Sequence, residues 1–137
     1  MIRVYTDVVG DLFHWGHVEF FRLARDLGDV LVVGVHDDDT VAAYKRRPTL
    51  TMDERIRVVA GCRWVDEVVP SAPLVVDAEH LDRHRVDLVV HADDIGDDVV
   101  AQWYAEPVAR GIYRSVPYSP GISTTEIIER VQRGPDG

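Results

Sequence analysis

Along this chain, short dense apolar runs take turns with stretches whose apolar residues recur every three or four positions. "IRVYT" (residues 2–6) and "DVLVVGVH" (29–36) are of the first kind, and the second run is uninterrupted, as in a strand buried on both faces. Between them, "GHVEFFRLARDLG" (16–28) sets Val18, Phe21 and Ala24 beside Phe20, Leu23 and Leu27 in a helical stripe that closes at Gly28. A short helix over "DTVAAYK" (39–45) and a loop "RRPTL" (46–50) follow. Thr51 and Glu54 have the T-x-x-E spacing of a capping box, opening a helix over "MDERIRVVAGC" (52–62). "WVDEVV" (64–69) reads as the third strand, 78–84 as a helix, "VDLVVH" (86–91) as the fourth strand and 97–110 as one further helix. "RSVPYS" (114–119) gives a fifth strand, which its prolines confine to an edge. Ser123 and Glu126 repeat the capping-box spacing ahead of the last helix, "TTEIIERV" (124–131).

Strands alternating with helices predict an α/β fold: a Rossmann-like, doubly wound, parallel five-stranded sheet with helices on both faces. Residues 1–133 make one domain of ordinary size, and 134–137 a loose tail. Such sheets bind ligands at the carboxyl ends of their strands. That rule directs attention to residues 7–17, 36–47, 70–74, 91–98 and 118–126, each rich in polar residues or glycine.

Composition narrows the partners. A net charge of −9 argues against nucleic acid or an anionic membrane, since either demands a basic face. No apolar run approaches the ~20 residues that span a bilayer. The opening stretch has no signal-peptide pattern and Cys62 is the only cysteine, so a cytoplasmic, soluble protein is expected. The cations are lopsided: fourteen arginines, one lysine (Lys45), and no asparagine in the chain. Any small-anion site must therefore concentrate a few cations and backbone amides.

Three stretches could do so. In "DLFHWGHVEFF" (11–21), His14 and His17 share one face of a first helical turn, with Gly16 between them to admit close approach to the backbone. The helix amino terminus favours an anion and neutral imidazole rings. Spacing alone leaves open whether the two are satisfied core histidines, metal ligands or donors in a catalytic site. Metal ligation is the weakest reading, because only Asp11 offers a third ligand and no H-E-x-x-H pattern is present. "YKRRP" (44–48) gathers Lys45, Arg46 and Arg47, as phosphate ligands or as balance for Asp37, Asp38 and Asp39. "GISTTEII" (121–128) sets Gly121 and the hydroxyls of Ser123, Thr124 and Thr125 at a helix start, where a simple cap explains Ser123 equally well.

The separated pair "DLFHWGH" and "GISTTEII" resembles the signature of the cytidylyltransferases that make CDP-ethanolamine, CDP-choline and CDP-glycerol. Between them "LGDVLVVGVHDDDTVAAYKRRP", "DERIRVVAGCRWVDEVVPSAP" and "DLVVHADD" fit the phosphoethanolamine and phosphocholine branch, so the similarity runs from about residue 4 to residue 131. The resemblance implies transfer of CMP from CTP to a small phosphate- or phosphonate-bearing acceptor, with Mg²⁺ accompanying CTP on its phosphates and no metal held directly by the protein. It implies His14, His17 and Lys45 as catalytic residues. Val9, Gly10, Asp11, Gly16, Asp38, Arg55, Asp94, Gly121, Ser123, Thr124 and Thr125 are implied as nucleotide-binding. A homodimer is the family habit.

Two stretches depart from the family pattern. Where the family has glycine, a small residue and an aromatic, this chain has Val8-Val9-Gly10; where it has arginine, threonine and Glu or Gln, this chain has Tyr118-Ser119-Pro120. Both flank the implied acceptor pocket, making Val8, Tyr118, Arg46 and Arg47 candidate acceptor residues and Arg114, Arg46 or Arg47 candidate replacements for the missing arginine. Phosphoethanolamine is the first acceptor the similarity suggests, with a phosphonate such as phosphonoformate or 2-aminoethylphosphonate as the alternative. An ATP-using adenylyltransferase, which shares H-x-G-H, and a non-catalytic nucleotide sensor complete the set.

Overall fold

The computed structural model describes residues 1–119 and 121–134; Pro120 and the tail residues 135–137, parts of the stretches singled out above, lie outside the described residues. The elements run β1 (Arg3–Val8), α1 (Trp15–Arg25), β2 (Val30–Val35), α2 (Asp38–Ala42), α3 (Met52–Ala60), β3 (Glu67–Pro70), α4 (Ala78–Arg83), β4 (Leu88–Ala92), α5 (Asp97–Trp103), α6 (Ala105–Ala109), β5 (Tyr113–Val116) and α7 (Thr124–Arg133). All pairings are parallel and the spatial order is β3-β2-β1-β4-β5. This is the doubly wound arrangement that the alternation of periods predicts.

The alternation of side chains along the strands builds two cores. Val4, Leu31, Val33, Val35 and Val90 point to the face where Phe21 and Ala24 of α1 and Val59 of α3 pack. Tyr5, Val32 and Val89 point the other way, onto Leu81 of α4 and Tyr104. Each fully buried Val or Leu contributes roughly 1.5–3 kcal/mol of transfer free energy, so register is strongly specified by this two-sided burial. The chain runs outward from β1 to β3, then returns to the other flank of β1 at β4. The switch point between β1 and β4 opens a crevice at the carboxyl end of the sheet. Among the described residues no helix is long and apolar enough to cross a membrane.

Three local expectations change. The helix over 97–110 is two helices broken at Tyr104, whose φ −123° and ψ 25° leave the helical region. Pro107 explains the break, since its ring collides with the carbonyl four residues back, at Trp103. That carbonyl instead accepts the N–H of Val76 at 2.9 Å. At α7 only half of the capping box forms: Ser123 Oγ accepts the Glu126 N–H at 3.1 Å, while the Glu126 carboxylate turns to Arg130, also at 3.1 Å. Helix α1 ends at Arg25, not at Gly28. A Cβ at Gly28 would lie 2.6 Å from Val4 Cγ2, so glycine is there for close packing on β1.

Candidate active site

A cavity of about 440 Å³ occupies the switch-point crevice, floored by Asp7 and Val8 at the end of β1 and by His91 and Ala92 at the end of β4. Its walls are fastened by two charged residues that do little else. Asp11 is buried, and its carboxylate accepts the N–H groups of Thr49 at 2.8 Å and Leu50 at 2.9 Å. Its own carbonyl accepts the Thr124 hydroxyl at 2.9 Å, joining the loop after β1 to the start of α7. Arg55 is wholly buried and divides its guanidinium among the carbonyls of Leu50 and Val9 and the carboxylate of Asp38. Gly10 sits between these anchors at φ +71°, a left-handed turn that glycine adopts without strain.

The two histidines form a cap of their own. His14 is the N-cap of α1; its Nδ1 accepts the Gly16 N–H at 3.1 Å, and the His14 N–H donates to His17 Nδ1 at 3.1 Å. The geometry is that of a capping box with imidazole replacing both hydroxyl and carboxylate. It also fixes the tautomers. A ring nitrogen that accepts from a backbone N–H carries no proton, so each neutral ring bears its hydrogen on Nε2. Burial, reinforced by the neighbouring His14 ring, lowers the His17 pKa to about 3; burial lowers that of His14 as well. Both residues line the cavity as neutral Nε2–H donors, their rings 4.0 Å apart. Gly16 is required by this packing: a Cβ there would fall 2.8 Å from His14 Cε1 and 3.0 Å from Ile122 Cγ2. The same contact brings the α1 terminus against the "GIST" segment.

The cations sort cleanly. Lys45 and Arg46 line the cavity, and burial with Arg46 beside it lowers the Lys45 pKa against the opposing pull of Asp11 and Asp94. Arg46 lies 3.5 Å from the Thr125 hydroxyl, which ties it to the start of α7. Arg47 points away and pairs with Asp39 on the exposed surface, and Arg114 donates to the carbonyls of Gly111 and Tyr113. Of the three arginines, Arg46 lines the cavity and Arg47 and Arg114 do not.

Asp38 and Arg55 hold each other behind the cavity wall, and Gly121, at φ +95°, shapes a turn outside the lining. Ser123 and Thr124 line the cavity: the Ser123 hydroxyl accepts the α7 capping N–H and keeps its own hydrogen to donate, while the Thr124 hydroxyl spends its hydrogen on the Asp11 carbonyl. The backbone N–H groups of Thr124 and Thr125 make no hydrogen bond to another described residue, as first-turn amides do. Val8, Val9, Gly10, Asp94 and Tyr118 line the cavity where the sequence placed them.

One subsite escaped the sequence reading. Asp7 is buried at the cavity floor; its Oδ1 accepts the Tyr104 hydroxyl at 2.5 Å and its Oδ2 has no hydrogen-bond partner among the described residues. Burial and the Asp7 charge raise the Tyr104 pKa far above the usual phenol value, so that hydroxyl stays a donor. Tyr44 and Trp103 line the same cavity, and their rings meet edge to face at 5.3 Å. The only signal was an aspartate inside a strand otherwise buried; Tyr104 was hidden in a helix read as continuous.

A family model described as cytidylyltransferase-like matches residues 10–130. Ethanolamine-phosphate cytidylyltransferase of Mus musculus is 42% identical over 96% of this chain and 33% of its own length. The protein of that name from Dictyostelium discoideum is 40% identical over 95% of this chain and 36% of its own. Choline-phosphate cytidylyltransferase A of Rattus norvegicus is 38% identical over 98% and 38%. The chain thus spans about a third of the length of these relatives. Among solved structures, the lipopolysaccharide core biosynthesis protein of Thermoplasma volcanium superposes with a TM-score of 0.71 at 24% identity, covering 89% of this chain and 99% of that one. Pantoate-beta-alanine ligase of Francisella tularensis gives 0.58 at 14% identity, over 99% of this chain and 72% of the other. These two likenesses are of fold.

Proposed function

Because this chain belongs to the cytidylyltransferase-like family, we propose that its cavity transfers CMP from CTP to a small, amine-bearing phosphate ester of the phosphoethanolamine type and releases pyrophosphate. The observation that carries this reading is the reciprocal histidine cap, which sets two neutral Nε2–H donors in the same cavity as the α7 amino terminus and the only lysine.

The acceptor's phosphate oxygen attacks the α-phosphorus of CTP in line. A P–O bond forms there as the bond to the β-phosphate oxygen breaks, and pyrophosphate leaves with that electron pair. Catalysis is positioning and charge stabilisation, with no covalent protein intermediate. His14 and His17 donate to the α-phosphate oxygens as negative charge gathers. Lys45 bridges the α-phosphate and the acceptor phosphate. Arg46 and the amides of Thr124 and Thr125 hold the departing phosphates at the helix terminus. Ser123, Asp11 and Arg55 are positioning residues that fix the loops carrying these groups. Gly10 supplies the left-handed turn, and Gly16 the close packing of the α1 terminus, that hold these groups in place.

Asp7 supports the amine in the acceptor. A buried carboxylate with an unpartnered oxygen, in one cavity with the aromatic rings of Tyr44 and Trp103, suits a small cation by charge and by cation–π attraction. Of the three carboxylates lining the cavity, Asp94 alone has neither oxygen in a hydrogen bond among the described residues. It is the group that fits a magnesium ion brought in on the CTP phosphates. That ion, when bound, neutralises charge on the triphosphate. A homodimer in a reducing cytoplasm completes the reading, which the half-buried free Cys62 suits. Pyrophosphate release with CTP, ATP, GTP and UTP, each alongside phosphoethanolamine, tests it: CTP is favoured if it holds, and an ATP preference replaces it with adenylyl transfer.

A further inference from the structure

Next to Asp7 stands a histidine that the reaction as derived does not use. His36 follows β2 directly, is 5% exposed, and lines the cavity floor. Its Nδ1 lies 2.9 Å from the carbonyl oxygen of Ala72. A carbonyl only accepts, so Nδ1 carries the hydrogen and donates it. In its neutral form a ring that donates from Nδ1 has a lone pair on Nε2, and this nitrogen lies 3.8 Å from the unpartnered Asp7 Oδ2. At that separation the two groups do not hydrogen-bond each other. Side by side, they are two buried acceptors facing a shared gap.

We propose that His36 Nε2 and Asp7 Oδ2 together receive the amino group of the acceptor, so that His36 is a specificity-determining residue selecting a primary ammonium over a trimethylammonium. This rests on the reading of the cavity as a cytidylyltransferase site with an amine-bearing acceptor. A primary ammonium has N–H groups for both acceptors at about 2.8–2.9 Å. A trimethylammonium has none. It keeps its attraction to Asp7 and to the aromatic rings, but leaves both acceptors desolvated and unpaired. Sites built to hydrogen-bond a polar hydrogen discriminate strongly against analogues lacking it.

His36 has a second possible duty, holding the loop at Ala72, and two substitutions separate the roles. His36→Asn can keep an N–H directed at the Ala72 carbonyl but has no atom at the Nε2 position. His36→Gln reaches further and can present a carbonyl oxygen near that position. Steady-state kinetics with CTP and either phosphoethanolamine or phosphocholine read the outcome. In His36→Asn the KM for phosphoethanolamine rises roughly tenfold or more, the size expected for one lost hydrogen bond to a charged group. The KM for CTP is unchanged, the preference over phosphocholine narrows by the same factor, and His36→Gln recovers part of it. An unchanged acceptor preference in His36→Asn overturns the inference and leaves His36 a loop anchor. Wild-type protein that accepts no amine-bearing substrate overturns both this inference and the acceptor reading beneath it.

Discussion

His14 and His17 cap one another across the first turn of α1. The backbone N–H of His14 donates to His17 Nδ1 at 3.1 Å, while His14 Nδ1 takes the N–H of Gly16 at the same distance. One arrangement therefore serves two ends: it terminates the helix, and it turns the protonated nitrogen of each ring toward chemistry. The two ends can be separated by substitution.

His14→Ala should lower turnover roughly 10²–10³-fold, the usual loss for one transition-state donor, and should also lose about 1 kcal/mol of capping. His14→Asp restores a strong N-cap without restoring a donor. Its thermal stability should return toward wild type while its turnover stays at the alanine level or below. Recovery of both together would mean the histidine acts only as a cap. Thermal melts and single-turnover rates on the same samples make the comparison.

The lowered His17 pKa carries a pH signature. The unfolded chain binds a proton at this site near pH 6.5, whereas the folded chain waits until about 3. Between those values the unfolded state holds more protons, so stability falls as pH falls, by up to ~1.4 kcal/mol per pH unit from this group. Above pH 6.5 the contribution is constant. Wild type should therefore lose more stability than His17→Asn between pH 6.5 and 5, measured by urea unfolding; parallel losses would contradict the neutral, buried ring. Turnover should show no inflection at pH 6.5 from either histidine.

Arg55 and Arg47 test the division between wall and surface. Arg55→Ala strips three half-buried acceptors of their donor, empties a wholly buried side-chain site and should destabilise the protein by about 3 kcal/mol. Arg55→Lys should recover little, because an ammonium does not match the guanidinium fork. Arg47→Ala removes an exposed pair and should change stability by less than about 0.5 kcal/mol, with CTP kinetics intact. Chemical denaturation distinguishes them, and a silent Arg55→Ala would refute the anchoring role.

Lys45 and Arg46 differ in what they hold. Lys45→Ala should reduce turnover itself, since both reacting phosphates lose a shared cation. Arg46→Ala should act mainly on the KM for CTP, through the phosphates that depart. Kinetics at varied CTP separate the effects, and equal behaviour of the two variants would merge the roles assigned here.

Much of this architecture is legible from sequence because it follows from periodicity. The run 29–36 can be buried on both faces only as a central strand, and the 3.6-residue stripe over Val18, Phe21 and Ala24 can cover only one face of a sheet. The helix terminus at His14 is legible for the same local reason. Pro107 is a local break signal within the run 97–110, but the place of the break, at Tyr104, depends on the packing of that ring in the core, which no local pattern gives. The Asp7–Tyr104 hydrogen bond joins residues 97 apart in the chain, and no pattern along the sequence encodes it. Spacing along the sequence does not show which hydroxyls and charges the protein itself engages. Ser123, Thr124, Asp11 and Arg55 are all used by the protein itself.

The most direct measurement is the mass of the product formed with CTP and each of phosphoethanolamine, phosphocholine, glycerol 3-phosphate, 2-aminoethylphosphonate and phosphonoformate. The predicted result is a CMP adduct that forms fastest with phosphoethanolamine, appears with equimolar pyrophosphate, and is abolished by His17→Ala. A wild-type protein that yields no CMP adduct with any of them, or that forms an AMP adduct from ATP faster, contradicts the central claim.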